Sequence, residues 1–210
     1  MTEKLSNKDK RDLVLQAGMQ LLPYVGGPMA TLYFGSKQEK RFKRLESFYN
    51  ELSQEIEGMR DSIKSIEEQD SSALEAILEQ LHEKVETEPT FEKRLFFKNY
   101  FKSTLISPIS NNYDERKYFL DALADMSALE CELLALIKKQ PRQVQIASIN
   151  KPGVDQYAIV GAIGRLKSRG FLSAATGAVF SIGGSTDNTL QEMVVVSSYG
   201  NLFCSFCLNT

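Results

Sequence analysis

The fold is decided by residues 42–66, FKRLESFYNELSQEIEGMRDSIKSI, in which apolar side chains recur at alternating steps of three and four. Such a two-in-seven seam is typical of an α-helix that packs against one close partner helix. We predict one long helix over residues 38–68, whose partner is either another helix of this chain or a second copy of the chain. The seam comprises Phe42, Leu45, Tyr49, Leu52, Ile56, Met59, Ile63 and Ile66.

An uncharged, largely apolar segment precedes this helix at residues 13–36. The prolines and glycines of PYVGGP interrupt it, so two short helices fit better than one membrane-spanning helix. These helices are either part of a bundle core or a re-entrant hairpin that contacts a membrane or a partner, with basic residues held at the anionic face. The candidate contact residues are Leu21, Leu22, Tyr24, Val25, Gly26, Gly27, Met29 and Leu32. The basic flank consists of Lys37, Lys40, Arg41, Lys43 and Arg44.

Three further helices are predicted after the seam, at about 72–87, 90–106 and 113–126, which completes a helical domain over residues 1–126. Ser72 and Glu75 have the spacing of a capping box at the start of the first of them. His82 lies off the apolar stripe of that helix, so we expect an exposed histidine.

The helix at 90–106 alternates aromatic and basic side chains in TFEKRLFFKNYFKSTLI. This pattern is most often a buried bundle helix whose lysines reach the surface with their ammonium groups. It is also found where single-stranded nucleic acid stacks on aromatic rings and contacts cations.

A change of composition predicts a second domain over residues 127–210, because acidic residues become scarce after position 142 while Gly, Ser and Val become frequent. Ser127 and Glu130 form a capping-box pattern, and Gly170 is placed to end a later helix. A β-branched run, MVVV, indicates a strand before a final helix that contains Cys204 and Cys207. The predicted fold is therefore mainly α, a helical bundle followed by an α+β domain.

The second domain resembles the winged helix-turn-helix of bacterial regulators through AIGRLKSRGFL, which is similar to a recognition helix and first wing strand. In a DNA-binding member, the start of this helix would read bases and nearby cations would contact phosphates. An acid, Asp155, stands at that start, and the predicted wing at 176–189 has no lysine or arginine, which favours a protein-interaction module. The DNA-contact residues of the alternative are Gln156, Tyr157, Arg165, Lys167 and Arg169.

The whole chain resembles small bacterial proteins of prophages and defence islands through PYVGGP, KRFKRLESFYNEL and ERKYFLDALADMSALECELLALI. The resemblance implies abortive-infection or exclusion roles and brings no catalytic residue with it.

The composition of the 210-residue chain excludes several kinds of metal and catalytic site, because the chain has one histidine, three cysteines and no tryptophan. Phosphate-loop, metalloprotease, serine-hydrolase and dinucleotide motifs are absent from the sequence. We therefore expect no enzyme, catalytic residue, cofactor, metal or small-molecule substrate. We expect Cys204 and Cys207 to be core residues rather than a redox or metal site.

Two functions follow as hypotheses. The first is a non-enzymatic, cytoplasmic interaction protein of the phage-conflict type that binds a protein partner or itself through the heptad helix. If the segment 13–36 enters a membrane, the protein is peripheral at its inner face. The alternative is a dimeric winged-helix transcriptional regulator that binds duplex DNA.

Overall fold

The computed structural model describes residues 40, 41, 43–52, 55, 59, 70–175 and 188–208. These residues are mainly helical, with one small antiparallel sheet. The chain divides into two compact units, of which the first ends at Ala124 and the second begins at Asp125. The sequence had placed this boundary between residues 126 and 127.

The described part of the first unit consists of helices joined by short loops. Residues 40, 41 and 55, which lie near the first helix in the sequence, are also helical. The helices are α1 (43–52), α2 (Ser71–Thr87), α3 (Phe91–Ile106) and α4 (Tyr113–Asp125).

The seam is buried where the structure describes it, because Leu45, Tyr49 and Leu52 are at most 3% exposed. Phe48, which lies outside the two-in-seven pattern, is equally buried, so the buried stripe of α1 is wider than a coiled-coil seam. Met59 lies in a turn, so the prediction of helix through that position was wrong. The preceding residue is a glycine, which disfavours helix.

Helix α2 begins with a different cap from the predicted pair of Ser72 and Glu75. Asp70 has extended backbone angles and its carboxylate accepts a hydrogen bond from the amide of Ala73 at 3.0 Å. The amide of Asp70 donates in turn to the carbonyl of Ile109 at 3.0 Å, which fixes the cap against the loop before α4. Asp70 therefore caps α2 in place of the predicted Ser72.

His82 is buried, so the prediction of an exposed histidine was wrong. Its Nε2 shares a hydrogen bond with Oη of Tyr49, and the tyrosine ring meets the rings of both His82 and Phe101 edge to face. Burial lowers the pKa of His82 to about 4 and raises that of Tyr49, so both groups are neutral near pH 7 and share this hydrogen bond without a charge. Helix α2 thus binds α1 through a buried polar pair.

Two lysines of α3 are also buried, where the sequence predicted ammonium groups at the surface. Lys93 Nζ donates to the carbonyl of Ala124 at 2.7 Å and pairs with Glu88 at 3.0 Å. Lys98 Nζ lies 2.9 Å from Glu51 and 2.7 Å from Glu55, and its side chain is 6% exposed. These lysines hold neighbouring segments of the unit together. Their burial agrees with the interpretation of α3 as a buried bundle helix rather than as a nucleic-acid-binding helix.

The second unit joins helices to a three-stranded antiparallel sheet in the order β1, β3, β2. Leu172 pairs with Val196 and Val144 pairs with Val194. The elements are α5 (Ala128–Lys138), β1 (Val144–Gln145), a 3-10 turn (Ile146–Ser148), α6 (Gln156–Ser168), β2 (Leu172–Ala175), α7 (Asn188–Gln191), β3 (Met193–Val196) and α8 (Ser198–Phe203), which continues as a π-helical turn (Cys204–Leu208). The short helix α7 lies partly where the sequence predicted wing.

Several local predictions for this unit are confirmed. Ser127 and Glu130 form both hydrogen bonds of a capping box at the start of α5. Gly170 ends α6 with φ of 77°, a left-handed conformation that favours glycine. MVVV forms β3, and the side chain of Ser197 caps the final helix.

The core of this unit is apolar and closely packed around α8. The rings of Phe171 and Phe203 stack at 4.2 Å between centroids. Gly200 lies so close to the chain that a Cβ atom there would be 2.0 Å from the carbonyl oxygen of Phe171. Cys204 and Cys207 are buried free thiols, as predicted for core residues, and burial raises the pKa of Cys204 to about 11.

The apolar segment 13–36 lies outside the described residues, as do Phe42, Ile56, Ile63 and Ile66 of the seam. Among the helices that the structure describes, none combines the length and apolarity required to cross a membrane.

Candidate interaction surface

The candidate surface is built on α6, the helix that the sequence assigned to base recognition. Asp155 caps it by accepting a hydrogen bond from the amide of Tyr157 at 2.8 Å. Ile159, Ile163 and Leu166 anchor the helix in the core, so the opposite face is presented to solvent. The side chain of Tyr157 is 60% exposed on that face.

Gln156 is held inside the unit. Its Nε2 donates to the carbonyl of Ile146 at 3.1 Å, which ties the start of α6 to the 3-10 turn. An amide used in this way is not free to read a base edge, which requires both of its polar atoms for adenine. Only Tyr157 of the two predicted base-reading residues extends into solvent.

Arg165 forms an ion pair with an acid of its own unit. Its Nε lies 2.7 Å from Oε1 of Glu130, whose side chain is 2% exposed. Burial of Glu130 favours its neutral form, but hydrogen bonds from Ser127 and Arg165 outweigh burial and lower the pKa of Glu130. One carboxylate thus caps α5 and binds α6.

Lys167 is paired in the same manner. Its Nζ lies 2.5 Å from Oε1 of Glu192, the residue before β3. Arg169 is half-buried at the C-cap of α6, where its amide donates to the carbonyl of Arg165 at 3.0 Å. Arg165 and Lys167, both predicted for phosphate contacts, therefore already have carboxylate partners.

The predicted basic flank is split by the structure. Lys40, Arg41 and Lys43 are exposed, whereas Arg44 donates to the carbonyl of Glu86 at 2.7 Å and holds α1 to α2. Other predicted contact residues lie outside the described part of the chain: Leu21, Leu22, Tyr24, Val25, Gly26, Gly27, Met29, Leu32 and Lys37.

A shallow depression in the first unit has a cavity volume of about 70 Å³ and is lined by Lys84, Thr87, Glu88, Phe97 and Ala124. Ligand pockets usually enclose roughly 300–1,000 Å³ and are mainly apolar. Among the described residues, no group of three or more His, Cys, Asp or Glu side chains converges as a metal site.

Two acids that matter for the surface were not singled out for this role from the sequence. Glu130 was predicted only as a helix cap, and Glu192 was not assigned a role. Their partners lie 35 and 25 positions away in the chain, and no local pattern marks such pairs.

A comparison with family models, curated proteins and solved structures finds no match to this chain.

Proposed function

We propose that the chain is a non-catalytic interaction protein of the phage-conflict type, in which the second unit is a winged-helix-like module that docks a protein rather than duplex DNA. The order of its elements supports this assignment. A helix, a short strand, a 3-10 turn, a second helix and a two-strand pairing follow one another, and β3 lies between β1 and β2. This order supports a winged-helix-like assignment, in which α6 would take the place of the recognition helix.

The pairing of the α6 cations is the observation that carries the proposal. Phosphate contacts by lysine and arginine supply most of the non-specific affinity of DNA-binding proteins. Arg165 and Lys167 would have to leave Glu130 and Glu192 to make such contacts. Departure of Arg165 would leave the nearly buried Glu130 without its cation, which is costly.

Selection from a randomised 20-base-pair duplex library tests this function with the full chain. We expect no enriched motif and no duplex binding tighter than about 1 µM at physiological salt, the upper range of non-specific affinity. The matched variant carries Arg165→Ala and Lys167→Ala, and circular dichroism verifies its fold. An enriched motif whose binding is lost in this variant would support the regulator instead.

In this function, residues 13–36 contact a membrane surface or a partner, together with the basic residues that follow. The sequence supports this part through its uncharged composition and its PYVGGP interruption. Flotation with anionic vesicles tests it, using the full chain and a variant with Val25→Asp, Met29→Asp and Leu32→Asp. A chain that never floats, or a variant that floats equally well, contradicts membrane contact.

A further inference from the structure

Helix α2 exposes a row of acids, which we name the acidic stripe: Glu75, Glu79 and Glu83. A spacing of four places them on one face of the helix. In the part of the chain that the structure describes, none of the three side chains has a hydrogen bond or an ion pair. Glu51, Glu55, Glu88 and Asp121 of the same unit are all paired with lysines.

The stripe is unfavourable for the helix that carries it. Like charges at a spacing of four destabilise a helix by about 0.2–0.5 kcal/mol per pair. Lys84, a nearby cation on the same helix, forms an ion pair with Asp121 at 3.4 Å instead. The stripe therefore lacks a cation partner among the described residues of its unit.

The second unit has the complementary surface at the end of α5, which we name the basic corner: Lys138, Lys139 and Arg142. Within the described residues, the side chains of these cations have no ion pair. Lys151, Arg165 and Lys167 are by contrast paired with Glu132, Glu130 and Glu192. Residues 139–143 are all exposed, and the side chain of Leu136, one turn before Lys139, is 41% exposed.

The two surfaces match in size as well as in charge. Glu75 and Glu83 are eight residues apart, which corresponds to about 12 Å along an α-helix. The chain from Lys138 to Arg142 spans at most about 13 Å. The basic corner is therefore short enough for its three cations to lie along the acidic stripe.

We propose that the partner docked by the second unit is a second copy of this chain, with the acidic stripe of one copy against the basic corner of the other. This inference rests on the proposed protein-docking function. The contact joins different surfaces of the two copies, so it extends to further copies or closes into a ring. Exposed ion pairs contribute little each, so the assembly is weak and is dissociated by salt.

Sedimentation velocity of the full chain tests the contact with two charge-reversal variants. The stripe variant carries Glu79→Lys and Glu83→Lys, and the corner variant carries Lys139→Glu and Arg142→Glu. We expect the wild-type average mass to rise with concentration at low salt and the apparent dissociation constant to increase about tenfold between 20 and 300 mM salt. We expect each variant alone to remain monomeric, because both of its surfaces then have the same sign.

Mixing the two variants is the decisive arm. In the mixture, the acidic stripe of the corner variant meets an unchanged basic corner, and the reversed surfaces also attract each other, so assembly is expected to return. The control variant, Lys40→Glu and Arg41→Glu, changes two other exposed cations and is expected to assemble like the wild type.

Monomeric wild-type protein at every concentration, or a mixture that stays monomeric, overturns this contact. Assembly that the stripe variant strengthens overturns it too, because the reversed stripe would repel the basic corner. These results leave the proposed docking function standing, since that function fails only if the duplex selection yields a motif that requires Arg165 and Lys167.

Discussion

In the first unit the cation of Lys98 lies inside the contact between α1 and α3 with its side chain 6% exposed, whereas Arg165 of the second unit pairs at the surface with 57% of its side chain exposed. The first unit also buries a hydrogen bond between Tyr49 and His82. The second unit instead closes its core with apolar rings and a glycine. The first unit should therefore respond to pH and charge, and the second to changes of volume.

The largest effect is expected from Gly200→Ala in the second unit. The new Cβ would lie 2.0 Å from a backbone oxygen that belongs to the turn before β2, and backbone cannot move aside as a side chain can. We expect a loss of at least about 3 kcal/mol in the free energy of unfolding. Hydrogen exchange at the amide of Ile163 measures it.

Gly164→Ala is the matched control for that change. Position 164 is inside α6 and a Cβ there meets nothing within 4 Å, so alanine is expected to stabilise the helix by about 0.5–1 kcal/mol. If both alanines destabilise the unit equally, the close approach at Gly200 is not the reason.

The second effect concerns the buried lysine of the first unit. Replacing Glu51 and Glu55 by glutamine leaves Lys98 in the core without a carboxylate, and we expect a loss of about 2–3 kcal/mol. Lys98→Met fills the same space with apolar atoms, so we expect a cost below about 1 kcal/mol. Denaturation in urea, followed by hydrogen exchange at the amide of Leu81, compares them. A methionine that costs more than the glutamines would show that the ion pairs are a net source of stability.

The third effect is a pH dependence confined to the first unit. The pKa of His82 is lowered to about 4 in the folded chain from an ordinary value of 6.5, so its contribution to stability is present above pH 6.5 and is lost as the pH falls towards 4. Between pH 7 and 5 we expect a loss of about 2 kcal/mol. The described residues of the second unit contain no histidine, and its exchange rates, corrected for intrinsic chemistry, should change little. His82→Phe should remove the slope in the first unit, and a slope that persists would assign it to other groups.

The smallest effect separates stability from assembly in the acidic stripe. Glu79→Lys replaces two like-charge contacts at a spacing of four by favourable ones, so we expect α2 to gain about 0.5 kcal/mol or more. The same change should weaken self-association. Thermal unfolding and sedimentation of one sample measure both, and a variant that loses stability would contradict the idea that the stripe is unfavourable for its own helix.

Local patterns were sufficient to predict much of the fold. The spacing of Ser127 and Glu130 encodes a capping box within four residues, and Gly170 marks a helix end by its own backbone freedom. The bounds of α2, α3 and α4 also lie within one residue of those predicted from the sequence. These features depend on neighbours in the sequence, so the sequence alone contains the necessary information.

The errors share a different physical origin. His82 and Phe48 lie beside the expected apolar stripes and are buried because their helices each contact more than one neighbour, which periodicity along one helix does not reveal. The burial of Lys98 depends on acids more than 40 positions away. The same holds at the candidate site for Arg165 and Lys167, which the sequence assigned to phosphate contacts, because no local pattern marks their acidic partners.

Amide NMR of the 15N-labelled full chain tests most directly whether the chain docks a second copy of itself rather than duplex DNA, because it shows which surface makes the contact. The labelled chain is mixed at low salt first with unlabelled chain and then, separately, with the randomised duplex. We predict that unlabelled chain shifts the amides of residues 75–83, 138–140 and 142, and that duplex leaves the amides of residues 156–169 unchanged. Shifts at 156–169 with duplex, and none at the acidic stripe or the basic corner with unlabelled chain, would contradict both the docking function and the proposed contact.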